Sequence, residues 1–179
     1  WVLIVLTLAA VVPVGILIAL ALNLPALDDT ILSPEIAAPL SIRRDAYGIV
    51  AIDASSSTDA AWALGYAHAQ DRLFQMDLMR RTAAGELSEL LGYRTVDTDI
   101  ATRRWQLRSL ASQQLANARE DLASIVRAYT AGVNAGIDSL KLRPVEYILL
   151  RTGPRPWREE DCLLVIHAMF LMLTDPSAG

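Results

Sequence analysis

LGYAHAQDRLFQMDLMRRTAAGELSELLG, residues 64–92, is the stretch on which the fold turns. Trp62, Tyr66, Ala69, Leu73, Met76 and Arg80 recur at spacings of three and four, the period of one helix face. Leu64, Ala67, Phe74 and Leu78 widen that face, so a long, largely buried helix is predicted over 59–82. Gln70, Asp71 and Arg72 interrupt the pattern, and polar groups are costly to bury unless paired. Adjacent helix residues do not face each other. Asp71 therefore needs an arginine or backbone N–H groups elsewhere, and Arg72 a carboxylate or carbonyls. We read the trio as a buried polar clamp rather than a reactive group. His68 has no serine or cysteine at a suggestive spacing and reads as a packed residue, as does His167 on the last apolar helix.

Ser55-Ser56-Ser57-Thr58 before Asp59 is a loop ending in an N-cap signal. Upstream, Leu40 and Ile42, then Ile49 and Ala51, are apolar at period two around Asp45-Ala46-Tyr47-Gly48. That tetrapeptide carries Asp and Gly where a type I turn favours them, so a β-hairpin is expected. Downstream, Gly85 and Gly92 bracket a short helix over 86–91. Further helices are expected over 99–116, 120–140, 144–150 and 159–173, with Gly153-Pro154-Arg155-Pro156 a firm stop before the last. The fold class is mostly α with one short β-hairpin. Several helices are apolar on more than one side, which calls for a partner surface.

The chain begins at Trp1 rather than Met, which points to a longer gene product. Hydrophobic residues make up 53% of it, above the usual range for a soluble domain. Residues 1–27 carry no charge, and about twenty apolar residues span a bilayer, so an uncleaved single-pass anchor is expected there. Residues 28–39 read as a linker punctuated by Pro34 and Pro39, and residues 40–179 as one domain. The acidic flank of Asp28, Asp29 and Glu35 favours an outward-facing C-terminal part. Net charge is −4 and the arginines are scattered, which argues against nucleic acid. One cysteine, Cys162, excludes an internal disulfide framework, and with two distant histidines it makes no zinc site. No strand–turn–helix serine elbow, phosphate loop or H-E-x-x-H is present.

Four motifs in order go further. R-R-D-A-Y-G-I-V-A-I-D contains Asp45 and Gly48, and the opening block contains Gly65, Tyr66, Gln70, Asp71, Arg72 and Gln75. A-Y-T-A-G-V-N-A follows at 128–135, and R-P-W-R-E-E-D at 155–161. Across residues 40–174 this order resembles the start of the α chain in the penicillin acylase (penicillin amidase) family. The resemblance implies one precursor, a zymogen, that cuts itself into an α chain and a larger β chain. The whole would be an N-terminal-nucleophile hydrolase, an α+β αββα sandwich completed by the β chain. The nucleophile would be the new N-terminal serine of β, so Ser177, internal to this chain, is no candidate. A free α-amino group, with an ordinary pKa near 8, can take the hydroxyl proton. A backbone N–H and an asparagine of β would hold the oxyanion. The reaction would hydrolyse an amide without a catalytic cofactor.

The resemblance further implies a structural calcium between the chains, with Asp175 as the weak α-chain guess, so the metal ligands stay unknown. Met169, Phe170, Leu173 and Thr174 are the implied acyl-pocket residues, and their character implies an apolar acyl group. The amide substrate, a small molecule or a lipopeptide, stays open. With the apolar leader, the resemblance implies an enzyme tethered to the bacterial inner membrane, its catalytic part in the periplasm or outside. The alternative is an inactive, membrane-tethered acylase-like scaffold.

Overall fold

The computed structural model describes residues 30–174, together with positions 1, 11, 13–15 and 17. Its spine is helix α1 (Ser57–Ala84). Ser56 caps it in extended geometry, its Oγ accepting from the Asp59 amide at 3.0 Å and donating to the Asp59 carboxylate at 2.8 Å. Asp59 is buried and also accepts from the Ala37 amide at 3.0 Å, which ties the preceding segment to the start of the helix. Gly85 ends α1 at φ 67°, and the Glu86 amide reaches back to Arg81 O at 2.8 Å, a left-handed C-cap that satisfies the last carbonyls.

Ahead of α1, strands β1 (Ser41–Arg44) and β2 (Val50–Asp53) form the expected antiparallel hairpin. Asp45 holds its turn, accepting from the Tyr47 and Ile49 amides at 2.8 Å each. The register differs from the period-two expectation on the second strand. Ile42 pairs with Ile52, so Val50 and Ile52 share the half-buried face, while Ile49 and Ala51 point outward.

After α1 come α2 (Ser88–Leu91), a 3₁₀ turn (Gly92–Thr95), α3 (Val96–Arg103), α4 (Leu107–Ala116), α5 (Glu120–Asp138), α6 (Val145–Leu149) and α7 (Glu159–Thr174). The single helix expected over 99–116 is two. Gln106 sits at φ 50°, left-handed geometry that no helix interior tolerates. The break re-aims α4, so that Ala111 packs with Ala83, Ala84, Leu164 and Ala168.

Helices α1 and α5 cross backbone to backbone. A Cβ on Gly132 would stand 1.9 Å from Trp62 O, and one on Gly65 2.2 Å from Tyr129 O. The core around this crossing holds Ala69, Met76, Val133 and Trp157, and a second cluster packs Leu73, Leu90 and Tyr147. Between Ala69 and Leu73 α1 is kinked at Arg72 (φ −141°, ψ 22°).

The anchor expected over 1–27 is corrected. Among the described residues no helix is long and apolar enough to cross a membrane. The longest, α1, carries Asp59, Asp71, Arg72, Asp77, Arg80 and Arg81, a charge load that hydrocarbon does not accept. Helix α7 is apolar but has only 16 residues, short of the bilayer core. Most of residues 1–29 lie outside the described residues. The lipid-bilayer partner and the inner-membrane, single-pass placement rested on that anchor and are set aside with it.

Candidate functional site

The hairpin and α1 meet through Arg44. Its guanidinium donates to Asp71 Oδ2 at 2.8 Å and to Gln70 Oε1 at 3.3 Å. An arginine is one of the two partners expected for Asp71. On this chain alone Asp71, Arg72 and Gln75 are exposed and Gln70 is half-buried, so burial of the trio would need the partner chain. Asp45 and Gly48 lie in the exposed hairpin turn, and Gly65 and Tyr66 lie in the buried face of α1, where Tyr66 stacks on Trp62 with ring centroids 5.5 Å apart.

A clamp buried within this chain stands one to three turns further along. Arg80 and Arg81 both donate from Nε to Asp77 Oδ1, at 2.7 and 2.8 Å, and Tyr147 Oη donates to Asp77 Oδ2 at 2.8 Å. Arg80 continues to Asp161 Oδ2 at 2.6 Å and to the carbonyls of Arg155 and Pro156, with its guanidinium 4.7 Å from the Trp157 ring centroid. Arg81 reaches Glu89 at 2.6 Å, and Arg155 shares that carboxylate at 2.7 Å. Arg108 grips Glu86 with two bonds, at 2.8 and 2.9 Å, and donates to Asp161 Oδ1 at 2.9 Å. Four arginines face four carboxylates, so a network that burial alone would make costly is charge-balanced and hydrogen-bonded throughout.

Burial works against the charge on Arg81, but Asp77 and Glu89 outweigh it and hold its pKa above the ordinary value. Burial opposes the charge on Arg108 likewise, and Glu86 and Asp161 overcome it. The Tyr147 hydroxyl is pushed up, by burial first and by Asp77 next, so it stays a donor. Sequence reasoning missed this network, although one signal was present: Arg80 occupies an apolar stripe, with Asp77 one turn before it.

The other two motifs are also architectural. Gly132 permits the α1–α5 crossing. Asn134 clasps the Trp157 backbone, donating to its carbonyl at 2.9 Å and accepting from its amide at 2.7 Å. Asp161 Oδ2 accepts the Arg158 amide at 2.9 Å and so closes the first turn of α7.

On α7 the buried side is Asp161, Leu164 and Ala168. The opposite side is bare: Ile166, Met169, Phe170 and Leu173 recur at three and four, 60%, 51%, 63% and 83% exposed. Thr174 is exposed beside them. Met169, Phe170, Leu173 and Thr174, read from the sequence as pocket residues, thus lie exposed together at the end of α7. None of them lines the groove of about 900 Å³ between residues 30–44 and Trp62, Tyr66 and Gln70.

No group poised for catalysis appears among the described residues. His68 Nδ1 bonds Tyr129 Oη at 2.9 Å, and its pKa is lowered, by burial above all. His167 keeps Nδ1 buried without a hydrogen bond. Cys162 is held as a thiol: burial pushes it up against the hydrogen bond from Trp157 Nε1 at 3.4 Å. Among the described residues no three His, Cys, Asp or Glu side chains gather to hold a metal, and Asp175 lies outside them.

Comparison with known proteins agrees with this geometry. Residues 39–178 match the family model for penicillin amidase. The chain is 39% identical over 155 residues to penicillin acylase 2 proenzyme of Pseudomonas sp. (strain SE83), covering 87% of this chain and 20% of that protein. It is 39% identical over 128 residues to the acyl-homoserine lactone acylase QuiP of Pseudomonas putida, covering 70% and 16%. Among solved structures, a thermostable penicillin G acylase from Alcaligenes faecalis superposes with a TM-score of 0.70 at 29% identity, covering 76% of this chain and 74% of that one. The chain spans a fifth or less of the length of these two curated relatives. With the family model matched across the hairpin and helices α1 to α7, the chain belongs to the penicillin amidase family of N-terminal-nucleophile hydrolases, as an α-chain-like N-terminal domain.

Proposed function

We propose that this chain is the α subunit of a self-processed acylase that hydrolyses acyl amides, and that α7 supplies one wall of the acyl pocket. The observation that carries the reading is the bare stripe of Met169, Phe170 and Leu173 on a helix whose other side is locked into the fold. A wall of flexible and aromatic apolar side chains fits an apolar acyl group. The relatives are named for acting on penicillins and on acyl-homoserine lactones. In this reading the nucleophile is the N-terminal serine hydroxyl of a β chain from the same precursor. It adds to the amide carbonyl, and its proton passes through the α-amino group to the departing amine. The C–N bond breaks as the ester forms, and water then releases the carboxylic acid. A structural calcium between the chains belongs to the same reading, and no step passes through it.

Hydrolysis by the mature two-chain enzyme, measured over amides of short, long and aromatic acyl groups, tests this. Acid and amine should appear in equal amounts. Phe170→Ala should alter the ratio of kcat/KM between acyl groups and leave the ratio between amines unchanged. Absence of acid release, or an equal loss on every substrate, contradicts it.

A further inference from the structure

We infer that Asp161 is a positioning residue: through Arg80 and Arg108 it sets the roll of α7, and with it the acyl group that the wall at Phe170 accepts. The inference rests on the acylase reading for its consequence but not for its geometry. Helix α7 sets Leu164 and Ala168 on Ala83, Ala84 and Ala111, with Met79, Leu107 and Leu163 beside them, and Cys162 and Val165 in the cluster of Met76, Val133 and Trp157. These apolar contacts hold the helix down, and Asp161 adds the directional ones. Asp161 is fully buried and accepts from Arg80 of α1, Arg108 of α4 and the Arg158 amide. Charge-assisted bonds to two arginine forks on separate helices fix the carboxylate in three dimensions. The forks are themselves held, Arg80 by Asp77 and two carbonyls, Arg108 by both oxygens of Glu86.

Phe170 lies nine residues beyond Asp161, two and a half turns, hence on the far side of the helix and about 14 Å along it. A roll of about 20° moves a side-chain tip at a radius of about 5 Å by nearly 2 Å, roughly the length of one bond plus a hydrogen. A pocket wall displaced that far discriminates acyl groups differently while the nucleophile on the other chain stays in place.

The test uses the mature two-chain enzyme carrying Asp161→Asn, alone and with Arg108→Gln, which restores charge balance in the network. D161N should shift the ratio of kcat/KM between short and long acyl amides fivefold or more. The double variant should recover the yield of mature enzyme yet keep the shifted ratio, which a purely structural role would not produce. Amide hydrogen exchange gives a readout independent of turnover. In D161N, residues 159–174 should exchange at least tenfold faster relative to residues 57–69 of α1. If D161N does not mature, Arg108→Lys, which keeps the charge and loses the fork, carries the same two measurements. A uniform loss across the acyl series, or unchanged relative exchange, overturns the proposal. A wild type that hydrolyses none of the amides sinks the acylase reading alone, and exchange then decides the positioning.

Discussion

Asp71 and Asp77 stand six residues apart on α1, and both pair with arginine, but in different media. The Arg44–Asp71 pair is partly exposed, and such pairs are worth about 1 kcal/mol or less. Asp77 is buried beneath Arg80, Arg81 and Tyr147, and its removal leaves two arginines without their shared carboxylate. Breaking a buried pair in this way costs about 3–5 kcal/mol. Denaturant unfolding of the two alanine variants should therefore separate them, Asp71→Ala close to wild type and Asp77→Ala far below. Equal midpoints would remove the network from the account. The sequence shows both acids in the same helix, but which one is buried depends on α6 and α7, more than sixty residues away. Gln70-Asp71-Arg72 is conspicuous in the sequence as three adjacent polar residues, whereas Asp77, Arg80 and Arg81 are spread over a turn among apolar residues.

At the scale of elements, the helices were legible because apolar periodicity is local. The break at Gln106 was not, because a left-handed glutamine has no local signature and is held by where α4 must dock. The glycine of the A-Y-T-A-G-V-N-A motif, Gly132, acquires meaning only once α5 lies on α1. Gly132→Ala places a methyl against the Trp62 carbonyl, so the helices must separate. We expect a loss of about 3 kcal/mol, the upper end for overpacking, read as a lowered denaturant midpoint. A neutral substitution would contradict the crossing.

Asp99 offers a second test at this scale. Its carboxylate accepts the Leu87 amide at 2.9 Å and the Ser88 amide at 2.7 Å, capping α2 from twelve and eleven residues away. Burial works to raise its pKa, but the hydrogen bonds from Ser88 and Leu87 prevail, and Arg103 adds to them, so it is held below the ordinary 3.8. A depressed carboxylate stabilises the fold above its unfolded pKa and loses that contribution as pH falls through its folded value. Stability should thus decline below pH 3.8 in the wild type, and Asp99→Asn should flatten that limb while lowering stability near neutrality by about 1–3 kcal/mol for the amide left unpaired. An unchanged acid limb would remove Asp99 as the cap.

At the scale of the whole molecule, the motif order carried the family. The period-two and three-to-four patterns show faces, not occupants. They left the apolar side of α7 unassigned, and only the locked opposite face shows that Met169, Phe170 and Leu173 are presented outward by construction. The chain spans 20% or less of the two curated relatives described above, and the proposed reading puts most of the reacting centre on a β chain. The N-terminal sequence and intact mass of the larger chain that accompanies this one after expression of the complete gene product test that claim most directly. We predict a chain cut from the same precursor that begins with serine and stays uncut when that serine is replaced by alanine. A larger chain beginning with a residue that has no nucleophilic side chain, or a precursor that is never cut, would contradict it.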